Sequence, residues 1–519
     1  VARRRDRSQA RGLTRRGALQ LGGAGALAAA LGGWGCGDRD DDPDLSRSAD
    51  PPNVLLIVTD STRADYVGAY NPDALAKTPS IDALAKQSLR FTHAVPEAMP
   101  TGLVRRALLS GVRTFPMRDW VATEHLPPTP GWSGIPGNYP LLTRILGDAG
   151  VTTGYATDNP FLVGPVYEDF RRSLDLSAAE LSQASYRDYN TPFTRLADRG
   201  AIERYLLPEL SDTVEVRRLQ SYVGWNSLYR TSTRRYSSAR VMAAGMAMLD
   251  EMKHRQPFFL GVDAFDPHEP FDPPESEYVE LFGRERKGIE KEGIEPIQPF
   301  NTPASYVDQL GIDEDTVQVV RQLYAAELTF TDAWIGRLLD HLDTLGLADN
   351  TLVIYLSDHG VLLGEHNVLG KAAAMPFKQI YHVPYLMRHP EGDRAGETSD
   401  YFASTHDVAR TVLSTMGVRI PGQMDGEDLS LLLTGGHPTP RPYFTSCYQD
   451  TWIAGDQRWL LLGPDSGEEI QLYDSEADPE QLHNVADRYP ETVDELWTAL
   501  TDAAGGTLPV FGHGQVVGG

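Results

Sequence analysis

Cysteine is nearly missing. The 519 residues hold two, Cys36 and Cys447. That excludes a disulfide-stapled scaffold and any metal centre built from several thiolates. Lysine is scarce too, with seven against 40 arginines, so an isolated lysine draws notice. Positive charge as a whole is short. The formal net charge is −25, and because residues 1–35 carry seven Arg and one Asp, the remainder is more acidic still. Such a surface does not suit nucleic acid, whose phosphates need cations. It bears on solubility and says little about fold. After the first fifty residues there is no internal repeat and no low-complexity segment.

Residues 1–20 are basic, and LTRRGALQL contains Arg15-Arg16. An apolar Gly/Ala-rich run comes next, to about Gly35. Residues 1–35 read as an export signal of the twin-arginine type. The run is too short and glycine-rich for a good membrane span. The expected location is therefore outside the cytoplasm: periplasmic, secreted or held at the cell surface. Gly33-Trp34-Gly35-Cys36 resembles a lipoprotein cleavage box, although Gly33 stands where Leu is preferred. Two readings stay open there, a lipidated Cys36 tethered to a membrane and an unlipidated chain. Residues 36–51 are acidic with Pro and Ser and read as a solvated linker.

From residue 52 on, the chain is rich in short apolar strands that stop on acidic residues. TLVIYLS (351–357) is β-branched and apolar, as a strand of a parallel sheet covered on both faces would be, and stops on Asp358-His359-Gly360. NVLLIVT (53–59) stops on Asp60-Ser61. PFFLGVDAF (257–265) runs into Asp266-Pro267-His268-Glu269-Pro270. In an open α/β sheet, sites sit just past the carboxyl ends of strands. Any one of these aspartates alone reads as a cap or turn residue, and His268 alone as part of a rigid proline loop. Three such ends at one sheet edge point to a divalent-cation site.

The intervening segments fill in an α/β alternation. Helical spacing is expected over Pro79–Ser88 with Thr78 as cap, over GLVRRALLSG (102–111), Leu141–Ala149, Ser237–Lys253, Asp313–Leu345 and Thr405–Met416. LRFTHAV and VTTGYAT are further strands, and VPYLMRH looks like an edge strand. Loops are expected over 115–140 and 270–310, and an insertion over one sheet face at 160–230. Thr101 is placed as the N-cap of its helix, where a hydroxyl meets positive potential, with Arg105 one turn along the same face. Lys371 comes after a glycine-rich loop and could hold an anion's oxygens or simply be surface. From about Pro442 the texture becomes that of antiparallel hairpins, closed by a helix at Glu491–Ala503.

The segments PNVLLIVTDSTRAD, TPSIDALAKQSLRFTHA, RRALLSG, DPHEPFDPP, YLSDHGVLLGEH with GK after it, and LYDSEADPEQLHNVAD together resemble the sulfatase family of the alkaline phosphatase superfamily. The set runs in the family's order from about Pro52 to Ala486. The resemblance implies an α/β fold, with a large, mixed, mostly parallel sheet between helices and a smaller C-terminal antiparallel sheet. The implied organisation is a catalytic domain over 52–440, a subdomain over 441–505 and a tail over 506–519. By the same resemblance Asp60, Asp358 and His359 match metal ligands. Thr101 falls on the nucleophile and on the metal, and Arg105, His268 and Lys371 match groups that grip the ester's oxyanion. Arg63 and Asp65 match the family's R-A-D turn.

Two departures carry chemical weight. The family's cysteine or serine, oxidised to formylglycine, is here Thr101, so no formylglycine is expected. The second of two adjacent aspartates is here Ser61, which with His359 tilts the expected single divalent ion toward Mn²⁺ or Zn²⁺, with Ca²⁺ still open. A formylglycine hydrate expels sulfate through its second hydroxyl, and threonine has only one. Phosphoester or phosphonoester cleavage through a Thr nucleophile is therefore favoured, on a small-molecule, glycan or lipid ester. Two alternatives stand beside it: a true sulfatase working without formylglycine, and a non-catalytic exported binding protein on the same fold. Oligomeric state and the organic part of the substrate are not legible.

Overall fold

The computed structural model describes residues 51–179, 196–202, 214–274, 307, 313–371 and 376–511. The segment read as an export signal, most of the linker with Cys36, and most of the 270–310 loop lie outside these residues.

Strands β1 (Asn53–Thr59), β2 (Leu89–Ala94), β3 (Thr152–Thr157), β4 (Leu176–Ala179), β5 (Phe258–Ala264), β6 (Thr351–Ser357), β9 (Tyr385–Arg388) and β10 (Thr398–Ala403) form one eight-stranded sheet. Its order is β10-β2-β9-β6-β1-β5-β3-β4. All pairings are parallel except those of β9, which runs antiparallel between β2 and β6. A two-stranded ribbon, β7 (Leu362–Leu363) with β8 (Leu369–Gly370), lies in the loop after β6.

The central strands are apolar at almost every position because both faces are covered. Val54, Leu56 and Val58 of β1 point to a layer with α2 (Thr101–Ser110), α3 (Leu142–Asp148) and α7 (Asp407–Thr415), through Leu108, Leu146 and Val412. Leu55 and Ile57 point the other way, to α5 (Ser237–Met252) and α6 (Glu314–Thr344), through Met242, Leu249 and Ile335. Two further helices complete the labelling: α1 (Pro79–Ala85) and α4 (Val214–Tyr229). The C-terminal sheet is an antiparallel meander of β11 (Phe444–Tyr448), β12 (Thr451–Gly455), β13 (Trp459–Pro464) and β14 (Gln471–Asp474), followed by α8 (Pro490–Ala503). It shares a buried cluster with the large sheet, in which Phe444, Tyr448 and Tyr473 meet Met99, Phe377 and Phe402.

Three expectations change. VPYLMRH is no edge: β9 is buried along its length and pairs on both sides. Its apolar residues suit a strand, but composition carries no information on direction or neighbours. Thr101 is the first residue of α2, and Pro100 holds the cap position. The 160–230 segment does not simply cover a face, since β4 extends the sheet beyond β3; residues 180–195 and 203–213 lie outside the described residues.

Candidate active site

Strands β5, β1 and β6 lie side by side in parallel register, with Thr59 opposite both Ala264 and Ser357. Their carboxyl ends are therefore level, and the residues that come next must share one edge. Asp60 N–H donates to Ala264 O at 3.1 Å, and Asp358 N–H to Thr59 O at 3.2 Å, which continues the ladder one step into the loops. Asp60, Asp358 and His359 emerge there, fully buried, with one ligand atom of each within 4.8 Å of the others.

Ser61 fixes the two carboxylates. Its φ of +62° lies in the left-handed region, uncommon for a residue with a side chain. That conformation lets its N–H donate to Asp358 Oδ1 at 2.9 Å while its hydroxyl donates to Asp60 Oδ1 at 2.7 Å. Asp358 Oδ1 also accepts from His359 N at 2.7 Å. His359 Nδ1 lies 2.9 Å from Gly360 O, a carbonyl, so Nδ1 carries the proton and Nε2 keeps its lone pair. Burial, then Lys371, pushes the His359 imidazole down to about 4, which keeps it neutral. Burial and the neighbouring Asp358 push the Asp60 carboxyl up to about 6. Gly360 is required by space: a Cβ there would stand 2.0 Å from the Gln379 backbone oxygen.

Thr101, 3% exposed, enters from the start of α2. Its Oγ1 lies 3.2 Å from Asp60 Oδ2 and 3.1 Å from His359 Nε2. Residues 41 and 258 positions away in the chain thus meet on one hydroxyl. Gly102 lets the helix tip sit close to Trp132, whose ring would be 2.6 Å from an added Cβ.

Arg105, also wholly buried, bonds Asp263 through Nε at 3.1 Å and Nη2 at 2.7 Å, while Nη1 contacts Asp358 and lies 3.5 Å from Asp60 Oδ2. The guanidinium expected to grip an oxyanion is in this structure engaged by three carboxylates. Tyr155 Oη adds a bond to Asp263 at 3.0 Å. Lys371 Nζ lies 3.2 Å from Glu269 Oε2. His268 stacks on Phe265 at 4.2 Å, and its Nδ1 faces Glu269 O at 2.7 Å. Arg63 stands behind the site: it holds Asp65 at 2.6 Å and Glu365 at 2.9 Å, tying the loop after β1 to the loop after β6.

Sequence reasoning missed Asp263 and Glu269. The only signal for Asp263 was a lone carboxylate inside the apolar run FFLGVDA, and for Glu269 its place between His268 and Pro270. The donor set of two carboxylates, a neutral imidazole nitrogen and a hydroxyl, with ligand atoms of the first three within 4.8 Å of one another, fits a divalent cation.

A sequence profile of the sulfatase family matches residues 52–418, and one of the N-sulphoglucosamine sulphohydrolase C-terminal region matches residues 364–504. The chain is 25% identical over 433 residues to the multifunctional alkaline phosphatase superfamily protein PehA of Trinickia caryophylli, covering 75% of this chain and 78% of that protein. It is 22% identical over 484 residues to the N-acetylglucosamine-6-O-sulfatase of Bacteroides thetaiotaomicron, covering 84% and 82%. Among solved structures, the phosphonate monoester hydrolase of Agrobacterium radiobacter superposes with a TM-score of 0.64 at 21% identity, over 87% of this chain and 96% of that one.

Proposed function

The chain belongs to the sulfatase family of the alkaline phosphatase superfamily, and on that premise we propose that it is a metal-dependent hydrolase of phosphodiesters or phosphonate monoesters with Thr101 as nucleophile. The observation that carries this reading is the placement of Thr101 Oγ1 between Asp60 Oδ2 and His359 Nε2, at 3.2 and 3.1 Å. One hydroxyl proton meets two acceptors there, so an oxygen lone pair is left for attack. The activities named for the relatives, a phosphonate ester hydrolase and a sulfatase, support the reading at family level.

Asp60, Asp358 and His359 would hold the cation, with Thr101 Oγ1 beside it. Mn²⁺ or Zn²⁺ suits this donor set better than Ca²⁺, since it includes an imidazole and lacks a further carboxylate. A bound divalent ion supplies Lewis acidity, lowering the pKa of a nearby hydroxyl and polarising a phosphoryl oxygen.

The remaining work falls to side chains. Thr101 Oγ1 forms a bond to phosphorus as the leaving oxygen departs, and gives its proton to the Asp60 carboxylate, which it already faces at 3.2 Å. His268 protonates the leaving oxygen. Lys371 offsets charge on the oxygens. Arg105 acts one step back, holding the carboxylates that orient Thr101. Water then attacks the phosphothreonine and releases the acid. A sulfothreonine has no second hydroxyl through which to collapse, which is why phosphorus is favoured over sulfur.

The test is an assay of the purified chain, supplied with Mn²⁺, Zn²⁺ or Ca²⁺, against p-nitrophenyl esters of sulfate, phosphate, a phosphodiester and phenylphosphonate. The phosphonate and diester should be the better substrates. Thr101→Ala should lose at least ~10³ in kcat/KM, while Thr101→Ser keeps most of it. Mass spectrometry after brief turnover should find a phosphoryl adduct on Thr101. Full activity in Thr101→Ala removes the nucleophile, and turnover of the sulfate alone restores the sulfatase alternative.

A further inference from the structure

Tyr448 is the last residue of β11, in the C-terminal sheet. Its backbone is joined to the segment that leads into α2. Met99 and Tyr448 form a parallel bridge, and Met99 N–H donates to Cys447 O at 2.8 Å. Met99 stands two residues before Thr101, so the far sheet and the nucleophile helix share this seam.

Tyr448 is fully buried, and its Oη has no hydrogen-bond partner among the described residues. Burial pushes the phenol far above its ordinary value, and the carboxylates of Glu269, Asp60 and Asp358 push it further. The phenol is therefore a neutral donor at any working pH. It lies in the field of three carboxylates that belong to the site, yet bonds to none of them.

A buried hydroxyl without an acceptor loses its hydration and gains nothing in return. Glu269 is engaged with Lys371, and Asp358 with Ser61, His359 and Arg105. With those groups engaged, an entering ligand can supply the acceptor that Tyr448 lacks among the described residues. A buried donor on a strand bridged to Met99, two residues before Thr101, suits an oxygen of the group under attack.

We propose that Tyr448 is a substrate-contacting residue whose Oη donates a hydrogen bond to a non-bridging oxygen of the tetrahedral ester group, so that the C-terminal sheet completes the site built by the large one. The proposal rests on the hydrolase reading of the Asp60–Thr101 site. It assigns the C-terminal sheet a contact with the reacting group itself, and not only with the organic part of the substrate.

The experiment compares wild type, Tyr448→Phe and Thr101→Ala, each loaded with the most active of the three metals. The probes are p-nitrophenyl phenylphosphonate, bis(p-nitrophenyl) phosphate and inorganic phosphate. Tyr448→Phe should lower kcat/KM for both esters by ~10²-fold, the effect of one preorganised donor. It should also weaken inhibition by inorganic phosphate, which has no organic part to bind elsewhere. Its thermal midpoint should be unchanged or higher, because an unpartnered polar group has been removed. Unchanged kinetics and unchanged phosphate inhibition in Tyr448→Phe, with Thr101→Ala inactive, overturn the role of Tyr448 and leave the hydrolase reading standing. A lower midpoint with unchanged phosphate inhibition also overturns it, showing a packing residue. A wild type that turns over neither ester and binds no phosphate by calorimetry overturns both.

Discussion

At the scale of single residues the site is a set of charges brought close and then balanced. Asp60, Asp358, Asp263 and Glu269 face Arg105 and Lys371, all of them buried. A divalent cation would bring this group near neutrality, so an entering ester with one negative charge meets less opposition than one with two. Glu269 is the adjustable member, because it holds Lys371 at 3.2 Å and is not one of the residues proposed to hold the metal. Glu269→Gln should free Lys371 and tighten inhibition by dianionic phosphate about 10-fold, a modest fraction of the pair's Coulomb energy near a protein surface. Inhibition constants at a pH where phosphate is dianionic check this, and an unchanged constant would show that Lys371 never meets the ligand. The convergence of Asp60, Asp358 and His359 was legible because each comes just after an apolar strand. Asp263 was not, because nothing in FFLGVDA tells which face a residue takes or what waits for it there. Only the register with β3 and the approach of Arg105 and Tyr155 make a buried carboxylate tolerable.

At the scale of elements, strands β1, β5 and β6 could be read from composition, and their order could not. Adjacent parallel strands with level ends are what converge Asp60 and Asp358, and neighbours in space here lie some 200 to 300 residues apart. Helix α7 offers a test of how burial controls charge. His406, just before it, is buried, with Nδ1 unpartnered among the described residues and Nε2 3.4 Å from Arg441 Nη2. Burial pushes its imidazole down to about 3, against the pull of Asp407. A base with a depressed folded value binds fewer protons in the native state than in the unfolded one, so its contribution is complete above pH ~6.5 and drains away as pH falls toward 3. Between pH 6.5 and 4.5 the loss should approach ~1.4 kcal/mol per unit. Urea midpoints across that window should fall in the wild type and fall less in His406→Gln. Equal slopes would mean that the ring is already charged in the fold.

At the scale of the molecule the two sheets share one core. Phe377, Phe402 and Met99 of the larger part pack on Phe444, Tyr448, Ile453 and Tyr473 of the smaller. The sequence showed where the texture changes near Pro442, and it was silent on how deeply the second sheet is sutured to the first. An interface of buried aromatics between neighbours couples their unfolding. Calorimetry of the chain should therefore show one cooperative transition, and separate transitions would mean that the seam at Met99 and Tyr448 is weak.

The Thr101 hydroxyl, the two side chains that face it and the hydroxyl across the seam come from positions 101, 60, 359 and 448. During synthesis Thr101 waits through 258 residues for His359. A chain stopped before β6 lacks Asp358 and His359, two of the three side chains that could hold a cation. An ion held there would thus report that the strands have met, and by mass action one that prefers the native chain would stabilise that state.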